Sequence, residues 1–357
     1  MLYSIQAYRG IAVLLIVFFH GSRRVLDEYG VDPFFGIFNF GFSGVHLFFV
    51  LSGFIILTAH VKDIGVPKQI SWYLKRRVIR IYPIYWVVLF LLGGWKLISI
   101  NMDIKDFCLN AFLFMADKKL VLPVSWTMHY ELIFYVIFAS LIFNKKLGIT
   151  VIAVWVFAIL LNWTNYLPWG HSASAIFHHL NLLFIFGMLA AILRLKLMDI
   201  NSDIFSAFLK ISFFLGVILF ILTSIYWSSL NLSLALWPQP PVLIIGFGLT
   251  TGFLVLSSAS PEIDGAFKRQ KILRLIGDAS YSIYLVHLWG QKESFNIIRS
   301  WTRRATGVSV DDGMGQSVLI SSVFLAIICV APILFGILVY LKVERPLLLF
   351  FRKKISR

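Results

Sequence analysis

Ten apolar runs of roughly 17 to 25 residues, each long enough to cross the hydrocarbon core of a bilayer as a helix, make up most of this chain. They fall near 7–24, 41–60, 81–100, 125–143, 148–165, 179–197, 208–226, 241–259, 277–295 and 317–341, separated by short polar stretches. In hydrocarbon every backbone N–H and C=O must be satisfied within the spanning structure, so runs of this kind are helices. Of 357 residues, 59% are hydrophobic and 14% are charged, against about 25% charged in soluble domains. A water-soluble fold is excluded. The sequence predicts an all-α, polytopic integral membrane bundle of about ten transmembrane helices.

Lys and Arg number 32 against 17 Asp and Glu, a formal charge of +15. The cations are not spread as a nucleic-acid-binding surface would require. Under a model with the N-terminus inside, 21 of them fall in cytoplasmic loops and the C-terminal tail and 9 on the opposite side, with Arg9 and Lys96 inside helices. The positive-inside rule then places both termini in the cytoplasm. The first run carries Arg9 and lacks a small-residue cleavage site, so it is expected to stay in the mature protein as a helix rather than leave as a signal peptide. Cys108 and Cys329 stand in separate apolar contexts and suggest neither a disulfide nor a metal site. One integral domain is expected, with no second globular domain after residue 341.

An ionisable side chain on a membrane helix costs roughly 2.5–3.5 kcal/mol on insertion scales, so each one marks a functional site by default. The informative ones are Arg9, His20, His46, Lys96, His129, Glu131 and His287. Arg9 and His20 are eleven positions apart, about three helical turns, and project from one face about 16 Å apart. This layout suits an anionic ligand held from the cytoplasm and reacting deeper in. A snorkelling Arg and a helix-end His are the plainer reading of the same spacing.

Arg76, Arg77 and Arg80, with Lys75, put four cations within six residues just before the third apolar run. Arg77 and Arg80 are one turn apart if the segment is helical, a pair able to clamp phosphates by forked hydrogen bonds. A juxtamembrane cluster also fixes topology or meets anionic lipid. Glu131 stands inside the run Ser125-Trp126-Thr127-Met128-His129-Tyr130-Glu131 and needs a partner. An intramembrane histidine or Arg9 is the natural one, which would make an oriented general base or a structural ion pair. Ser52 and Gly53 are small residues inside a bulky helix, suited to admitting a narrow ligand arm or to helix packing. The segment Gly277 to His287 carries hydroxyls along its length and is expected to line the same cavity.

Six motifs in order resemble the acyltransferase-3 family of membrane-bound O-acyltransferases, in particular its exopolysaccharide and O-antigen acetylating members. They are Tyr8-Arg9-Gly10 with His20; Leu47-Phe48-Phe49-Val50-Leu51-Ser52-Gly53-Phe54; and Arg76-Arg77-Val78-Ile79-Arg80-Ile81-Tyr82-Pro83. The others are Ser125-Trp126 with Glu131, Ser280 to His287, and Glu344-Arg345-Pro346. Two positions depart from the family pattern: His46 stands where many relatives have Asp, and Thr127 replaces the commoner Ser.

The resemblance implies a transmembrane domain over 1–345 with a basic cytoplasmic tail at 346–357. It implies transfer of an acyl group, usually acetyl, from cytoplasmic acyl-CoA to a sugar hydroxyl at the extracytoplasmic face. Acyl-CoA is then a co-substrate and no tightly bound cofactor or metal is expected. The partners are a carbohydrate or lipid-linked sugar and the lipid bilayer, with no nucleic acid; a homo-oligomer or glycan-assembly partners are compatible with it. His20, Glu131 and Arg9 are the expected catalytic residues, and Arg76, Arg77, Arg80, Ser52 and Gly53 the expected donor-binding ones. A pantetheine arm, somewhat under 20 Å when extended, would run from the arginine cluster past Arg9 toward His20. Direct attack and a transient acyl-His20 both need the same neutral imidazole. Some family members carry a fused hydrolase-like domain for which 357 residues leave no room. A transporter of a glycan or small anion, with Arg9, His20 and Glu131 as a relay, is the alternative reading of the same residues.

Overall fold

The computed structural model describes residues 2–94, 102–114, 120–163, 175–197, 203–229, 241–306 and 318–355, and Lys96 lies outside them. Among the described residues the chain forms fourteen α-helices joined by short turns. They are α1 (Tyr3–Tyr29), α2 (Ser43–His60), α3 (Ile70–Val88), α4 (Ile104–Ala111), α5 (Trp126–Phe143), α6 (Lys145–Trp163) and α7 (Leu182–Leu197). They continue with α8 (Asp203–Ser229), α9 (Pro241–Ser257), α10 (Pro261–Lys268), α11 (Lys271–Asp278), α12 (Ser280–Thr306), α13 (Val318–Val339) and α14 (Arg345–Ile355).

Among the described residues, seven helical segments are long and apolar enough to cross a membrane: those containing α1, α2, α5, α6, α7, α8 and α13. An eighth is reached if α9 and α10, bent by 89° at a short break, count as one span. The all-α, multi-pass architecture is therefore as the sequence indicates. Of the ten expected segments, two are not among these candidate spans: the one near 81–100 is helical and apolar but described only to residue 94, and the one near 277–295 is helical but less apolar than a span requires. The difference is visible in their residues. The cations of α3 all precede Ile81, whereas α12 carries Gln291, Lys292, Glu293 and Arg299, and a break at Ala279 separates it from α11. The basic tail is itself helical: α13 runs through a π-helical turn, Tyr340–Glu344, into α14.

The chain divides into two compact units, each assembled from separated stretches. Unit one comprises Met1–Val45, Ser224–Trp237 and Ala266–Pro346. Its centre is α1, which packs on α11, α12 and α13. Gly30 closes α1 in the left-handed region (φ 69°), where a Cβ would be strained, and its N–H returns to the Leu26 carbonyl at 2.8 Å. Gly10 and Gly277 carry the close approach of α1 and α11. A Cβ on Gly10 would sit 2.5 Å from the Leu273 carbonyl oxygen, and one on Gly277 would strike the backbone of Gln6. Membrane helices have no hydrophobic drive to associate in lipid, so such backbone contact supplies the packing energy.

Unit two comprises His46–Thr223, Pro238–Gly265 and Leu347–Arg357. Here α2 crosses α7 through a reciprocal pair of glycines. Gly53 faces the backbone of Phe184, and Gly187 faces the Val50 carbonyl and the Phe54 nitrogen. Helix α7 also packs on α9, and α5 packs on α3 and α6.

Candidate active site

In unit one, the face of α1 bearing Arg9 and His20 is only partly open. Arg9 is half-buried and donates to Gln6 Oε1 at 3.3 Å. Tyr8 meets Phe267 at the end of α10 edge-on at 5.3 Å between centroids, and Gly10 takes the α11 backbone, so Tyr8-Arg9-Gly10 is where the α10–α11 segment meets α1. His20 is half-buried, with its ring 5.1 Å from Phe19 and 5.3 Å from His287. One residue further, Gly21 leaves room for two neighbouring helices. A Cβ there would lie 2.5 Å from Cys329 Sγ, 2.8 Å from Leu325 and 3.2 Å from Gln291 Nε2. Gln291 uses that nitrogen to bond the Val17 carbonyl at 2.7 Å, tying α12 to α1 beside His20. Further along α12, Ser282 donates to Glu344 at 2.6 Å, with both groups fully buried.

In unit two, Glu131 of α5 accepts from Ser52 at 3.4 Å and from Tyr135, both on Oε1. Within this unit two hydroxyls solvate the carboxylate, where the sequence suggests an imidazole or guanidinium. The physical reason lies one turn on. Tyr135 is buried, its hydroxyl on Glu131 and its ring 5.7 Å from the Arg77 guanidinium carbon, so one aromatic side chain meets both charged groups. Arg77 is held from three sides. It lies 5.7 Å over Tyr73, and its Nη2 donates to His60 Nε2 at 3.4 Å. His60 in turn donates from Nδ1 to the Asp63 carboxylate at 2.7 Å. A carboxylate only accepts, so Nδ1 carries the proton and Nε2 is left as the acceptor that Arg77 needs.

Arg76 is exposed and stacks over Trp72 at 4.0 Å, within electrostatic reach of Arg352 on α14. Arg80 is half-buried one turn beyond Arg77 on the same helix. The structure thus places the expected Arg76, Arg77 and Arg80 on one short helical stretch and brings Ser52 to Glu131. The open side of Gly53 is taken by the crossing with α7, so its size serves packing. His46 is buried with its ring 5.4 Å from Phe247, and His129 is buried on α5 with no hydrogen-bond partner for Nε2 among the described residues.

Four participants escape a reading by sequence alone: His60, Asp63, Tyr135 and Gln291. Tyr135 had a signal, since it is four residues from Glu131 and so shares its helix face. His60 and Asp63 look like an ordinary helix end, and nothing local in the sequence ties Gln291 to Val17.

The six motifs sort three and three. Those at Tyr8 to His20, Ser280 to His287 and Glu344 to Pro346 meet in unit one, and those at Leu47 to Phe54, Arg76 to Pro83 and Ser125 to Glu131 meet in unit two. A family model described as an acyltransferase domain matches residues 2–341. The chain belongs to this acyltransferase-3 family. The match spans both units, so the acyltransferase is one functional entity built from interleaved segments, and the transporter reading gives way to a membrane acyltransferase. The exopolysaccharide production protein ExoZ of Rhizobium meliloti (strain 1021) is 24% identical over 326 residues, covering 87% of this chain and 90% of that protein. No solved structure gives a significant match.

Proposed function

We propose that this acyltransferase moves an acyl group, in the first place acetyl, from acyl-CoA on the cytoplasmic side to a hydroxyl of a cell-envelope or exported carbohydrate, in a bacterial inner membrane. Arg77 and Arg80, with Arg76 beside them, hold the CoA phosphates, and Arg9 guides the donor. His20 is the general base. As the acceptor oxygen bonds to the thioester carbonyl carbon, its proton passes to the bare nitrogen of His20. The C–S bond then breaks, and the CoA thiolate takes that proton back. Glu131, fixed by Ser52 and Tyr135, supplies the negative charge that offsets the cationic donor site.

The observation that carries this reading is the family match over 2–341, which makes acyl transfer the chemistry to be distributed over these residues. The bias of 21 cations to 9 supports a cytoplasmic arginine cluster. The printed role of the relative in exopolysaccharide production supports a carbohydrate acceptor. The test incubates purified protein with radiolabelled acetyl-CoA and a panel of cell-envelope glycans and lipid-linked sugars. Label is expected to pass to one acceptor class, to be lost with His20→Ala while the protein remains folded, and to need far more acetyl-CoA with Arg77→Gln plus Arg80→Gln. A fully active His20→Ala variant refutes the base assignment.

A further inference from the structure

His287 is a wholly buried histidine to which the reaction above gives no part. Its exposure is 0%, and its Nδ1 lies 2.7 Å from the Tyr284 carbonyl oxygen. A carbonyl only accepts, so Nδ1 carries the proton and Nε2 of the neutral ring is a bare acceptor. That Nε2 is buried and finds no hydrogen-bond partner among the described residues, although buried polar atoms are almost always paired. The ring beside it is that of His20, with centroids 5.3 Å apart and planes tilted by 40°. At that separation facing imidazole nitrogens come to about 3 Å, the hydrogen-bonding range, once the His20 ring turns about its soft second torsion.

The placement is fixed from both sides along α12. Gln291, one turn above His287, holds the Val17 carbonyl of α1 at 2.7 Å and reaches Cys329 Sγ at 3.7 Å. Ser282, toward the other end, is bound to Glu344. The two histidines differ in access. His20 is partly open, whereas His287 beside it is sealed.

We propose that His287 is the positioning residue of His20, a proposal that rests on the reading of His20 as the base. Its Nε2 accepts the N–H of His20, which selects the tautomer and ring orientation that leave the other His20 nitrogen bare for the acceptor hydroxyl. When the hydroxyl proton arrives at that nitrogen, the resulting imidazolium keeps its bond to His287 until the departing thiolate removes the proton. His287 retains its own proton on Nδ1 throughout. The logic is that of a hydrolase triad in which a buried acceptor orients an accessible imidazole, with a neutral ring in the orienting place.

The experiment compares wild type, His20→Ala, His287→Leu, His287→Gln and the His20→Ala/His287→Leu double variant in acetyl transfer from labelled acetyl-CoA. His287→Leu is expected to lower kcat on the order of 100-fold with the KM for acetyl-CoA unchanged. His287→Gln, which offers a carbonyl oxygen in place of Nε2, is expected to recover most of the loss. The Leu substitution is expected to cost nothing further in the His20→Ala background. Full activity of His287→Leu beside an inactive His20→Ala overturns the positioning role alone, as does an equal loss in Leu and Gln. An active His20→Ala instead overturns the base reading beneath it. A readout independent of activity is the 15N-histidine spectrum of the wild type. There the unprotonated Nε2 resonance of His287 is expected to move in His20→Ala, and an unmoved resonance overturns the proposal.

Discussion

Replacing Tyr135 by Phe removes a single oxygen from the middle of the unit-two charge cluster and tests whether Glu131 works through its hydrogen bonds. Tyr135 is buried, and its hydroxyl is one of two donors to Glu131 Oε1; the other, Ser52, is at 3.4 Å. A hydrogen bond to a charged acceptor contributes about 1.5–3 kcal/mol. Glu131 is only half-buried, so water regains part of that, and about 1–2 kcal/mol is the expected loss, or roughly 5- to 30-fold in an equilibrium or rate. The assay is a double-mutant cycle in kcat/KM for acetyl transfer, with Tyr135→Phe, Glu131→Gln and the pair. If Tyr135 acts by placing and solvating the carboxylate, the pair is no worse than Glu131→Gln alone and the coupling is about 1–2 kcal/mol. Additivity within about 0.5 kcal/mol refutes the reasoning, because Tyr135 would then act without Glu131. Ser52→Ala, which removes the longer bond, is expected to give a smaller effect of the same kind.

Three further outcomes follow from the geometry. His60→Leu takes away the acceptor that holds Arg77 and is expected to raise the KM for acyl-CoA several-fold, up to about tenfold, with kcat nearly unchanged; steady-state kinetics over a range of acyl-CoA decides, and an altered kcat at constant KM contradicts it. Gly187→Leu drives a side chain into the Val50 and Phe54 backbone, which cannot yield, and is expected to cost at least about 1–3 kcal/mol, read as a lowered melting temperature in detergent. Ser282→Ala leaves the wholly buried Glu344 without that donor and is expected to lower the melting temperature by an equivalent of about 1.5–3 kcal/mol; adding Glu344→Gln is expected to restore part of it.

Much of this was readable in the residues because the chain is so apolar. A lone Glu131 or His20 in a run of Leu, Ile and Phe stands out, since hydrocarbon tolerates it only for a reason. The same rule failed where polarity is spread along a helix. In α12 the Gln291-Lys292-Glu293 run dilutes the hydropathy, and periodicity alone does not say whether such a helix crosses the membrane. Partners at a distance were also hidden. Ser282 meets Glu344 across 62 positions and Gln291 meets Val17 across 274, and no local pattern encodes either. Glu131 shows the subtler gap: charge arithmetic asks for a cation, but a tyrosine one turn away solvates the carboxylate without neutralising it.

The interleaving of unit one sets a problem of timing during synthesis. Helix α1 packs on α11, α12 and α13, with His20 beside His287 of α12, yet it leaves the ribosome about 240 residues before α11 begins. At about 5–20 residues per second, α1 waits roughly 10 to 50 s in the membrane with Arg9 and His20 uncovered. During that interval Ser22 can already meet Asp32, whereas His20 and the Val17 carbonyl still wait for His287 and Gln291. A truncation after α10 therefore leaves α1 without the three helices it packs on.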